Sequence, residues 1–211
     1  MASRAADAPP DPLGVLSAEA RRRLRRARAE WMQPMLATLT ERRFADPGWI
    51  FETKLDGIRG IAVRRGRDVR LYSRTRQDLS GRYPEVVEAL RAQDTPDYVI
   101  DGEVVAFEGN RTSFARLQRR MRQRIPIFYY VFDVMHVGGY DLTDLELRDR
   151  KRVLRRLLTF GDPLRRTVHR NEEGEDFYRA ACRKGLEGVM AKRADSPTCT
   201  GARRIGSSSS A

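Results

Sequence analysis

Lys54-Leu55-Asp56-Gly57-Ile58-Arg59 places one of only four lysines in the chain beside an acid, a glycine and an arginine. The other lysines are Lys151, Lys184 and Lys192, and nearly all remaining positive charge is arginine. Arginine cannot become a neutral nucleophile, because its guanidinium does not deprotonate in proteins. A scarce lysine next to a carboxylate, a backbone-permissive residue and a permanent cation suits an amine that attacks a phosphate-bearing electrophile. Taken alone, the hexapeptide also reads as an exposed charged hairpin with Asp-Gly at its turn. The flanking chain separates the two readings.

Outward from the hexapeptide, residues 49–53 read as a strand, so Glu52 and Lys54 point to one face if the extended backbone runs that far. Strands at 60–64 and 69–73, joined by the turn Arg65-Gly66-Arg67-Asp68, continue an antiparallel meander. A helix is expected over 84–93, with Val86, Val87 and Leu90 on one face, then a strand over 98–107 and a turn at Glu108-Gly109-Asn110. Residues 113–121 read as helix and 127–134 as a β-branched and aromatic strand. Helices at 147–158 (amphipathic and basic) and 176–184 precede a last strand at 188–193. Strands and helices mix without βαβ regularity, which predicts an α+β fold of mainly antiparallel sheets flanked by helices.

The ends read differently. Residues 1–30 form a basic, partly disordered N-terminal arm: 1–12 lack the composition to fold, and 17–30 suit a helix with Ser17 as N-cap and six arginines over its surface. Such a helix is solvated or lies along a phosphate backbone. Residues 31–205 make the main domain, and the serine-rich tail 206–211 is expected to be disordered.

Composition narrows the class. Apolar residues at 40% with 33% charged residues fit a soluble globular chain of 211 residues. No apolar run approaches the ~18 residues of a membrane span, and the first thirty residues lack the apolar core of a secretory leader. Cys182 and Cys199 make neither a zinc pattern nor a disulfide framework, so a reducing cytoplasm is expected. The net charge of +12 predicts attraction to a polyanion, with affinity that falls as salt rises.

Further chemistry-bearing residues recur along the strands. Asp101 and Glu103 share a face of an apolar strand, with Gly102 between them allowing close approach of another backbone or a ligand. Two carboxylates there are costly to bury without a cation or hydrogen-bond partner. Glu187-Gly188-Val189-Met190-Ala191-Lys192-Arg193 again sets an acid and a glycine before a short apolar strand and cations. Magnesium–nucleotide chemistry uses carboxylates near the hydrated metal and cations near the phosphates. Phe128, Tyr130 and Phe132 alternate onto one face, where a ring stacks on a base or simply packs in the core. His136 and His169 are isolated and read as structural or surface residues.

Together and in this order, these stretches resemble the adenylation (nucleotidyltransferase) domain of ATP-dependent DNA ligases, most nearly the ligase domain of bacterial non-homologous end-joining ligases. The resemblance runs over roughly 34–204 and includes Phe51 to Arg59, Ser73-Arg74-Thr75-Arg76-Gln77-Asp78, Tyr83-Pro84-Glu85, Asp101-Gly102-Glu103, Phe132-Asp133 and Glu187 to Arg193. It implies an ATP-grasp-like nucleotidyltransferase fold, ATP and Mg²⁺ as cofactors, and a role in DNA repair and recombination. The implied partner is nicked or broken double-stranded DNA, with an end-joining protein or a separate OB domain as further partners, in a bacterial cytoplasm and on the nucleoid when DNA is bound. It also implies that Lys54 attacks the α-phosphorus of ATP to give lysyl-AMP. Glu52, Arg59, Arg74, Glu103, Phe132 and Lys192 would bind the nucleotide, Glu103 and Glu187 the metal, and Arg74 and Arg76 the DNA. An ordinary lysine, with pKa ~10.4, is neutral in roughly one molecule in a few thousand at pH 7, so nucleophilicity is expected to depend on metal.

The chain departs from the family after Lys192. Where the family has a segment resembling S-P-Y-x-x-G-x-R-S-x-x-W-x-K-x-K, this sequence reads Ser196-Pro197-Thr198-Cys199-Thr200-Gly201-Ala202-Arg203-Arg204-Ile205-Gly206 and then serines. Arg203 fits; the tyrosine is Thr198, and the closing lysines and OB domain are absent. Chemistry by this chain alone is therefore expected to be weak. A degenerate ligase-like module that binds DNA or nucleotide without turnover, and an RNA ligase or capping-type transferase, are the alternatives.

Overall fold

The computed structural model describes residues 11–35, 38–39, 48–120, 122–171, 179, 183, 188–198 and 206–210, with backbone alone at 38–39, 169–171 and 206–210. Asp11 caps a 3₁₀ turn at Pro12–Val15, and Ser17 then caps α1 (Ala18–Arg22) through the Ala20 N–H. Two short strands follow, β1 (Arg25–Arg26) and β2 (Thr38–Leu39), before β3 (Trp49–Thr53), β4 (Ile58–Arg65) and β5 (Asp68–Ser73). After them come α2 (Pro84–Arg91), β6 (Tyr98–Glu108), β7 (Arg111–Thr112), α3 (Phe114–Arg119), β8 (Ile127–Val137) and β9 (Tyr140–Asp141). The chain continues through α4 (Leu147–Leu157), β10 (Leu164–Arg166), β11 (His169–Asn171), β12 (Gly188–Arg193) and β13 (Gly206–Ser210).

Two sheets form. The larger runs β1-β9-β8-β6-β4-β5, with β10 on β8 and β7 on β6; the smaller runs β11-β3-β12-β13-β2. Pairing is antiparallel except for β10 with β8 and β13 with β2, so the expected α+β, mainly antiparallel architecture is the one observed. Strand alternation gives the large sheet two apolar faces. Ala62, Leu71, Ile100, Val104 and Val134 pack with Val86, Val87 and Leu90 of α2 and with Val153, Leu154 and Leu157 of α4. Ile61, Val63, Val99 and Met135 turn the other way and are covered by Ala29, Trp31 and Met32.

That second cover corrects the expected helix over 17–30. The helix stops at Arg22, and the chain then extends so that Arg25 and Arg26 pair with Asp141 and Tyr140. Carbonyls downstream are held by the sheet: Ala27 O accepts from His136 Nε2, Ala29 O from Arg65 Nε, and Trp31 Nε1 donates to Ser73 O. Buried Leu16, Ala20 and Ala29 supply apolar contact that six arginines conceal in the sequence. The arm is a strap on the sheet. Likewise, Gly206–Ser210, expected to be disordered, pairs antiparallel with β12 from Gly188 to Lys192; its order is borrowed through backbone hydrogen bonds that need no apolar side chain. Residues 1–10 and most of the expected helix over 176–184 lie outside the described residues.

Candidate active site

In the smaller sheet β3 pairs with β11 on one side and with β12 on the other. Its Ile50 and Phe51 are buried apolar, but Glu52 is also only 2% exposed. Lys54 follows the last strand residue, and its N–H donates to Gly188 O at 3.0 Å, extending the ladder by one rung. The next turn is pinned on three sides. Asp56 N–H donates to Thr112 Oγ1 at 2.9 Å, and Asp56 Oδ2 accepts from Phe114 N–H, the first residue of α3, at 2.8 Å. Gly57 lies against β6 so closely that a Cβ there would sit 2.2 Å from Val104 O. The Asp-Gly pair of the hexapeptide is therefore a docking joint between two sheets, not the tip of an exposed hairpin.

A cleft of about 160 Å³ opens between those sheets, lined by Met35, Glu52, Thr53, Lys54, Leu55, Arg59, Glu103, Phe132, Thr167, Met190 and Lys192. Six of the residues expected at a nucleotide site are gathered here: Glu52, Lys54, Arg59, Glu103, Phe132 and Lys192. Arg74 and Arg76 are not among its lining; both stand exposed on the turn after β5, where Arg76 adopts a left-handed φ of 66° and lies over the Trp31 ring. Glu187 lies outside the described residues, as do Cys182, Cys199 and Arg203.

Phe132 reaches the cleft through a bulge. The β6–β8 register passes from Asp101↔Asp133 to Gly102↔Val131, leaving Phe132 without a cross-strand partner and free to be re-aimed. Its ring meets two cations, with Lys192 Nζ 4.4 Å and the Arg59 guanidinium 4.7 Å from the centroid. The close strand approach at this bulge also explains Gly102: a Cβ would lie 2.5 Å from Tyr130 O.

The carboxylates have cationic partners. Arg59 forks onto Asp101 through Nε and Nη2 at 2.5 and 2.6 Å, and Nη2 also reaches Met35 O at 3.3 Å. Burial would lower the Arg59 pKa, but Asp101, with Glu103 and Asp133 behind it, raises it above the usual guanidinium range. Glu52 accepts from Lys151 Nζ and Thr167 Oγ1 on Oε1, and faces Lys192 Nζ across 2.7 Å on Oε2. Burial alone would raise its pKa; Lys151 and then Lys192 outweigh that and hold the carboxyl well below the ordinary range. Lys151 is pushed down by burial and by Lys192 and pulled back by Glu52.

Sequence reasoning gave no role at the site to Lys151, Thr167 or Asp133 with its partner Arg150, although Lys151 and the Phe132-Asp133 pair were both noted. The basic pattern of 147–158 places cations around α4 without saying which turn inward. The only available signal was the rarity of lysine, which makes Lys151 as unusual as Lys54.

The chemistry of this lining suits a nucleoside triphosphate: a ring for a base, an acceptor beside it, and three cations for phosphates. For Mg²⁺ the fit is narrower. Among the described residues no group of three or more His, Cys, Asp or Glu side chains gathers as a metal site. Glu103, at the cleft wall, is an oxygen donor of the right hardness for a cation held mainly by water and phosphate.

Residues 34–206 match the family described as ATP dependent DNA ligase domain. A probable DNA ligase from Mycobacterium sp. (strain KMS) is 37% identical over 169 residues, covering 74% of this chain and 32% of that protein. Another from Streptomyces coelicolor is 36% identical over 167 residues, covering 72% and 33%. The chain thus spans about one third of the length of these curated relatives. Among solved structures, a mycobacterial DNA ligase D complexed with ATP and MES superposes with a TM-score of 0.72 at 27% identity, over 85% of this chain and 60% of that one. The ligase domain of LigD from M. tuberculosis gives the same score and identity over 84% and 58%. This chain belongs to the ATP-dependent DNA ligase family, of which it carries the adenylation domain.

Proposed function

We propose that this chain catalyses the self-adenylation step of DNA joining and hands the adenylate to a broken DNA strand. The neutral Lys54 amine forms a bond to the α-phosphorus of ATP, the bond to the pyrophosphate oxygen breaks, and pyrophosphate leaves. An oxygen of the 5′-phosphate at the DNA break then bonds to the α-phosphorus as its bond to Lys54 Nζ breaks and the amine is restored; the 3′-hydroxyl next bonds to the 5′-phosphorus, losing its proton, and AMP leaves. The observation that supports this reading most is the placement of Lys54 at the end of β3, on the same cleft as Arg59, Glu103, Phe132 and Lys192. Phe132 and Glu52 receive the base, while Arg59 and Lys192 neutralise phosphate charge. Mg²⁺ near Glu103 and Glu187 would withdraw charge from the phosphates and favour the neutral amine.

Turnover is proposed to be slow. The strand beside β12, Gly206–Ser210, carries glycine and serines, so it adds no cation to the phosphates. A preorganised cation there is worth several kcal/mol in the transition state, on the order of 3. That same observation favours the second reading, a module that binds nucleotide and DNA without turnover. Incubation with α-labelled ATP and Mg²⁺, followed by denaturing electrophoresis, separates the two. A labelled band is expected in the parent and absent in both Lys54→Ala and Lys54→Arg, because arginine keeps the charge but not the nucleophile. Label that survives in Lys54→Arg moves the nucleophile elsewhere; no label in the parent leaves only binding.

A further inference from the structure

Three donors converge on Glu52, and they do so from different directions. Thr167 and Lys192 line the cleft with it, whereas Lys151 does not. Lys151 comes from α4, behind the carboxylate, with its side chain only 6% exposed. Its ammonium binds Glu52 Oε1 and also donates to the Phe132 carbonyl at 3.1 Å. One cation therefore joins the acceptor at one wall of the cleft to the backbone of the residue whose ring forms the other. Neighbouring Arg150 fixes that stretch of helix by gripping Asp133, Leu145 O and Ser196 O. Lys151 has little freedom to leave.

What Glu52 can recognise depends on its ionisation. An ionised carboxylate offers only acceptors, while a protonated one also offers an O–H donor. Burial favours the protonated form, and a buried ionised group persists only with paired cations. Adenine presents an exocyclic amine at its six-position; hypoxanthine presents a carbonyl oxygen there. An acceptor held in place pairs with the first and faces the second oxygen to oxygen, and a site built for a hydrogen bond rejects the analogue that leaves it unmade.

We propose that Lys151 is a positioning residue for base selection, holding Glu52 as an oriented acceptor so that the cleft prefers a 6-amino purine to a 6-oxo purine. This rests on reading the cleft as the ATP site. A purely structural rivet between α4 and β3 would behave differently, since its loss would weaken every nucleotide alike.

The test is calorimetric binding of ATP and of inosine triphosphate to the full chain and to Lys151→Met, Lys151→Arg and Thr167→Val. The parent should prefer ATP. Lys151→Met should narrow that preference by about tenfold, the range of a hydrogen bond to a charged group, and Lys151→Arg should restore most of it. Thr167→Val, which removes another donor from the same oxygen, should narrow it in the same direction. An unchanged ratio in folded Lys151→Met overturns the proposal, as does an equal loss for both nucleotides or a parent that binds them alike or not at all. If thermal melting shows Lys151→Met unfolded, an unchanged ratio in Thr167→Val overturns it instead. Intact base preference without labelling of Lys54 overturns the adenylation reading and leaves this one standing.

Discussion

Arg150 has a side chain with no exposed surface, and its guanidinium meets Asp133 through Nε and Nη2 at 2.8 and 2.9 Å. Its Nη1 reaches the Leu145 and Ser196 carbonyls at 2.6 and 3.1 Å. Removing one member of such a pair leaves the other charge uncompensated, so Arg150→Met should cost about 3–5 kcal/mol, read from denaturant unfolding. Burial would raise the Asp133 pKa, but Arg150 lowers it, as Lys151 does for Glu52. Carboxylates depressed in the folded state bind fewer protons than in the unfolded chain. Their stabilisation is complete above the ordinary range near pH ~4 and is lost as pH falls through the lower folded values. Denaturant midpoints should therefore fall steadily below about pH 4, and less steeply in Asp133→Asn. None of this was legible at the level of residues. A 3.6-residue pattern marks an apolar face, but Arg150 and Lys151 are buried by partners 17 and 99 positions away, which no local window contains.

Elements were read better where a strand carries its own boundaries. The limits of β3 and β12 agree with expectation to the residue, because Gly48, Lys54 and Gly188 bracket short apolar runs. The helix near 84 was marked by Pro84 at its first turn and by its apolar spacing. Strands β9, β10 and β11 passed unseen, since two or three residues carry no period and their pairing is set by the partner. Also invisible was the β6–β8 bulge that aims Phe132. Its partner feature, Gly102, gives a direct test. In Gly102→Ala the added Cβ would meet Tyr130 O, forcing the two strands apart. A loss of about 1–3 kcal/mol is expected by thermal unfolding, together with weaker ATP binding as the bulge shifts.

At the scale of the whole molecule, charge was the most readable property and the N-terminal arm the least. A net charge of +12, with Arg74 and Arg76 exposed beside the strap, predicts DNA binding dominated by counterion release. If six or more phosphates are met, log affinity against log salt should slope at about −5 or steeper, measured by fluorescence anisotropy with a nicked duplex. A slope near zero would leave the charge without a nucleic-acid role. The strap itself also decides how the large sheet ends. At one margin lies β1, two residues long and carrying exposed Arg25 and Arg26. At the other, β5 is closed by its own returning chain: Ser73 N–H bonds Gln77 O, Leu79 N–H bonds Leu71 O, and Leu71 N–H bonds Ser80 Oγ. Neither margin offers the long row of unpaired backbone groups on which a foreign strand could add. A broad apolar sheet finished in this way is guarded against the addition of foreign strands at its own margins while folded, so that concentrated solutions should cloud through this sheet only once it begins to unfold.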